Sequence, residues 1–366
     1  MSGLLPEGFH DRLPPAADAA SRLEQRVLGV ARGYGYEQVD PPLAEFADEL
    51  KSRLKAARMR DAVRFVDPVS QRTLAIRPDL TAQVGRIAAT RMAHHPRPVR
   101  LSYVGPVIKL SASELAPARA MRQIGCELIG LDTVAAATEV VQVAIEALQT
   151  AGVSGISLDF TLPDLVDTLA GDSPQLEALR ERLDAKDAGG VAAIDATYLP
   201  LIEAAGPFDA ALARLRAIDS GKLSSRLDGL EKIAGAIAGQ ATLTLDPTER
   251  HGFEYQSWLG FSLFARGVRG EIGRGGSYTI LHGPGAEGGA REEAAVGFSL
   301  YADPILDAGL GAGERRRLFL PLGTPTETGA TLRGEGWVTV AALEAQDTPE
   351  AQLCSHVLRD GAPQPL

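Results

Sequence analysis

The chain has 366 residues, 45% of them hydrophobic and 23% charged, an ordinary balance for a soluble globular protein of two or more domains with a sizeable core. Lys and Arg number 37 against 47 Asp and Glu, a net charge of −10, and no basic run exceeds Arg315-Arg316-Arg317, so a nucleic-acid-binding surface is not expected. Two cysteines, Cys126 and Cys354, and six histidines without CxxC or HxxxH spacing exclude a disulfide framework and a metal cluster, and no cofactor is expected.

The opening segment, MSGLLPEGFHDRLPP, has no basic stretch followed by an apolar one, so no signal peptide is expected. No apolar run reaches the ~18 residues of a membrane span, which makes the cytoplasm the expected location. Ala16 to Arg32 carries apolar residues at helical spacing (Ala20, Leu23, Val27), with Gly33 as a stop. Tyr36 to Asp40 reads as a short strand ended by Pro41-Pro42. Val63–Val66 and Thr73–Ile76 read as strands joined through Asp67-Pro68. Thr81 to Met92 reads as a helix capped by Thr81 or Asp79. Strands follow at Val99–Tyr103, Val107–Leu110 and Cys126–Ile129, then a long helix from Thr133 to Ala151 and a strand at Ser157–Phe160.

From about residue 162 to 238 the composition turns to alanine- and leucine-rich segments, among them Gln175–Leu183, Pro207–Ile218 and Leu227–Ile237, read as a helical insertion. Strand character returns at Thr242–Leu245, Phe261–Ala265 and Ala294–Leu300, between glycine-rich loops that include a mobile turn at Gly283–Gly289. Residues 313–366 read as a separate small α/β unit, with strands at Leu318–Leu320, Trp337–Leu343 and Cys354–Leu358 and a helix over Thr324–Arg333.

Three segments carry chemistry. Arg77-Pro78-Asp79-Leu80-Thr81, the strand pair ending in Gln123, Gly125 and Glu127, and Arg250-His251-Gly252-Phe253-Glu254-Tyr255 supply carboxylates, an amide and hydroxyls. A free amino acid needs an acidic partner for its ammonium, and an imidazole, at once donor and acceptor, suits carboxylate and amide partners. Taken singly, each residue reads as a cap or a surface polar group; together their spacing favours a site. Gly273-Arg274-Gly275-Gly276 lacks the following Lys-Ser or Lys-Thr of a phosphate-cradling loop. His94-His95-Pro96 reads as a solvated loop.

These segments, in this order over residues 5 to 306, resemble a class II aminoacyl-tRNA synthetase, the histidyl enzyme in particular. The resemblance implies an α+β fold: an antiparallel sheet flanked by helices over residues 1–312, with a reduced anticodon-recognition-like unit after it. It implies a dimer formed around Tyr36 to Glu45. It also implies a histidine site of Asp79, Thr81, Gln123, Glu127 and Tyr255, with Asp79 standing where the family has glutamate. The match fails at the nucleotide end. Lys109 and Ser111 replace an arginine and a glutamate, His251 and Gln256 replace an arginine and a tyrosine, and Pro304 stands at the last motif's arginine. Lysine cannot reproduce the bidentate grip of a guanidinium on phosphate, and adenylate chemistry depends on such oriented charge.

A kept amino-acid end and a lost nucleotide end resemble the ATP phosphoribosyltransferase regulatory subunit family. That resemblance implies no catalysis by this chain, a short-form ATP phosphoribosyltransferase catalytic subunit as partner, L-histidine as ligand, and feedback inhibition through a hetero-oligomer. Two alternatives stay open: a divergent histidyl-tRNA synthetase and a synthetase-like tRNA-binding effector.

Overall fold

The computed structural model describes residues 4–48, 62–110, 118–250, 252, 255–282, 291–310 and 316–366. Ser111, His251, Glu254 and the Gly283–Gly289 turn lie outside them. The chain divides into two compact units, Met1–Gly311 and Ala312–Leu366.

The first unit is built on a nine-stranded sheet. In chain order its strands are β1 (Glu37–Gln38), β5 (Val99–Ile108), β6 (Ala120–Ile129), β7 (Ile156–Thr161), β8 (Gly206–Pro207), β9 (Thr242–Leu245), β10 (Gln256–Ala265), β11 (Gly273–Leu281) and β12 (Glu292–Tyr301). The three strands between β1 and β5 in sequence, β2 (Ala44–Phe46), β3 (Arg64–Val66) and β4 (Thr73–Ile76), form a separate small sheet. The large sheet runs β1-β5-β6-β12-β11-β10-β7-β9-β8, antiparallel from β5 through β7. Of two segments read from sequence as separate strands, Val99–Tyr103 and Val107–Leu110, the first and residues 107–108 of the second form one continuous β5, while Lys109 and Leu110 lie beyond it. Pro106 is tolerated within it because β1 pairs only with Leu101 and Ser102, leaving β5 an edge where the proline sits.

Period-2 alternation sorts the sheet's side chains. Ile124, Cys126 and Leu128 of β6 and Val296, Phe298 and Leu300 of β12 face the main core. That core is covered by α1 (Ala16–Gly33) and α3 (Val134–Thr150), on either side of α2 (Thr81–Thr90) in sequence. Helix α1 buries Ala20, Leu23, Val27 and Ala31 along one stripe. Helix α3 buries nine residues from Ala136 to Leu148 and is apolar nearly all round, as befits a helix enclosed in a core. Thr133 caps α3 by accepting the Ala136 N–H. The segments from 165 to 236 are α4 (Leu165–Ala170), α5 (Leu176–Asp184), α6 (Ala188–Asp195), α7 (Leu199–Glu203), α8 (Phe208–Ile218) and α9 (Ser224–Ala236). Their Leu179, Leu183, Leu212, Leu215, Leu227 and Leu230 join the same core rather than forming their own.

On the opposite face, Leu101 and Tyr103 of β5, Ile129 of β6 and Tyr278 and Ile280 of β11 pack with Leu80 and Val84 beside α2. This smaller apolar layer forms one wall of a polar cleft. A short helix, α10 (Ala302–Asp307), follows β12.

The second unit has a four-stranded sheet ordered β14 (Val338–Ala341), β13 (Arg317–Leu320), β15 (His356–Arg359), β16 (Ala362–Pro365), with α11 (Thr326–Gly334) between β13 and β14 in sequence. The first three strands are parallel; β16 returns antiparallel along β15. Leu318, Leu320 and Leu358 pack with Leu332 of α11 on one face. Phe319 and Val357 pack with Ala342 and Cys354 on the other. Among the described residues, no helix is long and apolar enough to cross a membrane.

Candidate functional site

The cleft is assembled from the turn before α2 and the exposed phase of four sheet strands. Arg77, 3% exposed, fixes the turn: its Nε donates to the Pro106 carbonyl (2.8 Å) and its Nη1 to the Pro41 carbonyl (2.7 Å). Gln83 of α2 donates to the Pro42 carbonyl (2.8 Å), so strand β5, the proline pair and the helix are tied at one point. The turn then delivers Asp79, Leu80 and Thr81 to the edge of the cleft. Asp79 Oδ1 accepts the Thr81 N–H (2.8 Å) at the start of α2, close to the capping role read from the sequence.

The sheet supplies the floor. Across β6, β12 and β11, Glu127 pairs with Gly297 and Gly297 with Gly276, while Gly125 pairs with Ser299 and Ser299 with Arg274. The glycines are required. A Cβ on Gly297 would overlap Glu127 Oε2, one on Gly125 would overlap the Tyr103 hydroxyl, and one on Gly276, at φ +154°, would overlap the Gln256 amide.

A continuous hydrogen-bonded network lies on this floor. Gln123 Nε2 donates to Asp79 Oδ2 (3.2 Å) and Ser299 Oγ (2.6 Å), and its Oε1 accepts the Leu80 N–H (3.0 Å). The Tyr103 hydroxyl lies 2.9 Å from Ser299 Oγ and 3.2 Å from Thr81 Oγ1, and donates to Glu127 Oε1 (3.0 Å). Tyr278 donates to Glu127 Oε2 (2.6 Å), and Tyr255 meets the Tyr278 ring edge-on at 6.0 Å between centroids. Of the five residues expected to form a site, Asp79, Thr81, Glu127 and Tyr255 line one cleft. Gln123 bonds two groups of its wall.

Sequence reasoning did not select Tyr103, Tyr278, Ser299, Gln256 and Arg274 for the site. Their signal was phase: each strand residue among them falls on the same face as Gln123 and Glu127. Gln256, 8% exposed, lines the cleft with an Oε1 that makes no hydrogen bond to the described residues. Arg250 lies apart from the cleft lining, its N–H donating to Asp184 Oδ1 (2.7 Å).

Burial pushes the Glu127 carboxyl up to about 8, against the pull of donors from Tyr278, Tyr103 and Thr81; the charge of Asp79 adds to the rise. Burial likewise lifts both tyrosine hydroxyls well above their ordinary range, so they remain donors. Near pH 7 the cleft therefore holds a protonated carboxyl, which can donate a hydrogen bond or ionise toward an incoming cation.

The folded state holds the Glu127 proton more tightly than the unfolded chain, whose ordinary value is 4.5. The stabilisation is complete below 4.5 and is lost as pH rises through about 8, at up to ~1.4 kcal/mol per pH unit. Urea unfolding of the wild type and Glu127→Gln between pH 5 and 9 should show the wild type losing ground up to about pH 8 and levelling off above it. Parallel curves would place the ionised carboxylate in the folded state throughout.

The cleft is narrow. Its free volume among the described residues is about 10 Å³, room for one water. Of the residues expected to replace the nucleotide-binding groups, Lys109 follows the end of β5, its N–H donating to the Arg119 carbonyl (2.8 Å). Pro304 lies within α10, where the neighbouring Asp303 accepts the Arg122 N–H (2.8 Å) and pairs with Arg12. Among the described residues no group of His, Cys, Asp and Glu is arranged to hold a metal ion.

The sequence model of the family described as histidyl-tRNA synthetase matches residues 8–305. The chain is 42% identical to the ATP phosphoribosyltransferase regulatory subunit of Rhodospirillum centenum, over 98% of this chain and 93% of that one. It is 39% identical to the protein of the same name from Paramagnetospirillum magneticum, over 97% and 96%. In fold it is similar to a Bacillus halodurans protein described as an ATP phosphoribosyltransferase regulatory subunit/histidyl-tRNA synthetase, with a TM-score of 0.77, 21% identity and 96% of both chains covered. It is also similar to histidyl-tRNA synthetase from Nostoc sp. PCC 7120, with a TM-score of 0.76, 15% identity, and 98% and 91% covered. With its class II synthetase-like sheet and this run of relatives over nearly its full length, the chain belongs to the ATP phosphoribosyltransferase regulatory subunit family.

Proposed function

We propose that the chain is the non-catalytic, histidine-sensing subunit of a cytoplasmic ATP phosphoribosyltransferase complex. It would support a short-form catalytic subunit in the first step of histidine biosynthesis and relay feedback inhibition to it. The names of its relatives support the regulatory role. The observation that carries the ligand is the continuous network of Asp79, Gln123, Ser299, Tyr103 and Glu127 beside Tyr255 and Tyr278. It presents an acidic group and a titrating carboxyl to one small cleft, with the Gln123 amide bracing the wall behind them. Asp79, nearer the rim, suits an α-ammonium. Glu127, 1% exposed and flanked by aromatic rings, suits an imidazole nitrogen.

The narrowness of the cleft favours sensing. A ligand that enters by moving side chains binds one arrangement better than another, and such differential affinity is the only means by which it can shift a complex. Linkage then requires the partner's substrates to weaken histidine binding in return. A homodimer through residues 36–45 would present two equivalent faces to the catalytic subunit.

The purified chain is expected to bind L-histidine in calorimetry and to give no histidine-dependent ATP–pyrophosphate exchange. Glu127→Gln should weaken binding tenfold or more, since a hydrogen bond to a charged group is worth ~1.5–3 kcal/mol. Unchanged affinity would move the site elsewhere, and sustained exchange would make the chain a divergent synthetase instead.

A further inference from the structure

We propose that Arg274 anchors the α-carboxylate of the bound amino acid, so that the cleft selects the intact zwitterion over the corresponding amine. This rests on the amino-acid site proposed above and adds a specificity residue to it.

Arg274 is the one basic side chain among the described residues that line the cleft. Glu271 holds it in a fork: Nε donates to Oε1 and Nη2 to Oε2, both at 2.6 Å, and Glu271 Oε2 also accepts the Ser262 hydroxyl (3.2 Å). Burial disfavours the guanidinium charge, but the bonds and charge of Glu271 outweigh it and keep the group firmly cationic. The third nitrogen, Nη1, lies on the side of Gly252. There a Cβ would overlap it, and the backbone takes φ +81°. The guanidinium plane is thus fixed by Glu271 at one edge and by glycine backbone at another, while its chain emerges on the cleft side of β11.

Arg274 is the cross-strand neighbour of Ser299, and Ser299 is bound to Gln123, whose Nε2 reaches Asp79. Arg274 and this polar chain, which ends on the acidic group, thus stand on adjacent strands, and Arg274, Ser299 and Asp79 all line the one cleft. An α-amino acid carries its ammonium and carboxylate on one carbon and needs an acidic and a basic partner close together. The cleft lining offers Asp79 at its rim as the acidic partner and Arg274 as the basic one. A guanidinium with a fixed plane is also the group best suited to a planar carboxylate. Glu271 acts through Arg274 as a positioning residue.

Calorimetric titration of the full chain with L-histidine and with histamine, which lacks the carboxylate, tests the assignment. The wild type should prefer histidine by tenfold or more, the scale of a charge-assisted hydrogen bond. Arg274→Gln should bring histidine down to the affinity of histamine while leaving histamine unchanged, which also reports that the cleft remains folded. If Arg274→Gln binds neither ligand, Arg274→Lys decides: charge without the fork should cut the preference several-fold. A wild-type preference in the glutamine variant, or in the lysine variant where that one decides, overturns the assignment. Equal binding of histidine and histamine by the wild type overturns it too, and leaves the histidine site standing. No histidine binding by the wild type overturns the site itself.

Discussion

Gly297→Ala is expected to abolish histidine binding and to destabilise the first unit by about 3 kcal/mol. The added methyl would overlap the Glu127 carboxyl and sit 2.6 Å from the Cys126 carbonyl, a backbone atom of the neighbouring strand. Relief by side-chain rotation would carry Glu127 away from Tyr103 and Tyr278 and break the network. Relief by backbone movement would strain the centre of the sheet, where β12 is paired on both sides. Overpacking of this kind costs ~1–3 kcal/mol, and a severed buried hydrogen bond adds to it. Gly29, in the interior of α1, is the control: a Cβ there meets nothing within 4 Å, so Gly29→Ala should stabilise by up to ~1 kcal/mol through helix propensity. Denaturant unfolding and calorimetry on both variants check this. Wild-type histidine affinity in Gly297→Ala would show that the ligand does not lie against Glu127.

The other large effect is expected on a partner. Alone, the chain should behave as a dimer in light scattering. Mixed with a short-form ATP phosphoribosyltransferase catalytic subunit, it should elute as a larger hetero-oligomer and raise that subunit's activity many-fold. Histidine should reverse the gain. Asp79→Asn and Glu127→Gln should assemble and activate as the wild type does, because both residues lie within the cleft and the amide replacements preserve shape. Their inhibition should require about tenfold more histidine, following the charged hydrogen bond each loses. A strictly monomeric chain, or a mixture that neither co-elutes nor gains activity, would count against the regulatory reading.

Much of this was legible in the sequence where period and chemistry agreed. Gln123, Gly125 and Glu127 alternate in a strand whose other phase, Ile124, Cys126 and Leu128, is apolar, so both faces of β6 declared themselves. Strand β11 was obscured for a physical reason. Gly273, Gly275 and Gly276 remove the side chains that reveal alternation, and the space above Gly275 is filled by Phe261 from β10. Arg274 was thereby noticed only as part of a glycine-rich run, although it stands in phase with Tyr278 and Ile280. Tyr103 and Tyr278 were not singled out, since nothing local marks a tyrosine whose hydroxyl meets a carboxylate from another strand. The strand read at 99–103 and residues 107–108 of the one read at 107–110 were one, because Pro106 punctuates a sequence without interrupting an unpaired edge.

The central claim is that this cleft senses histidine on behalf of a partner enzyme. It is tested most directly by the histidine dose–response of the reconstituted complex, run side by side with wild-type chain and with Glu127→Gln at equal assembly. The account predicts inhibition by histidine in the wild-type complex and a midpoint shifted about tenfold upward in the variant. Superimposable curves, with both complexes equally active and equally inhibited, would contradict it.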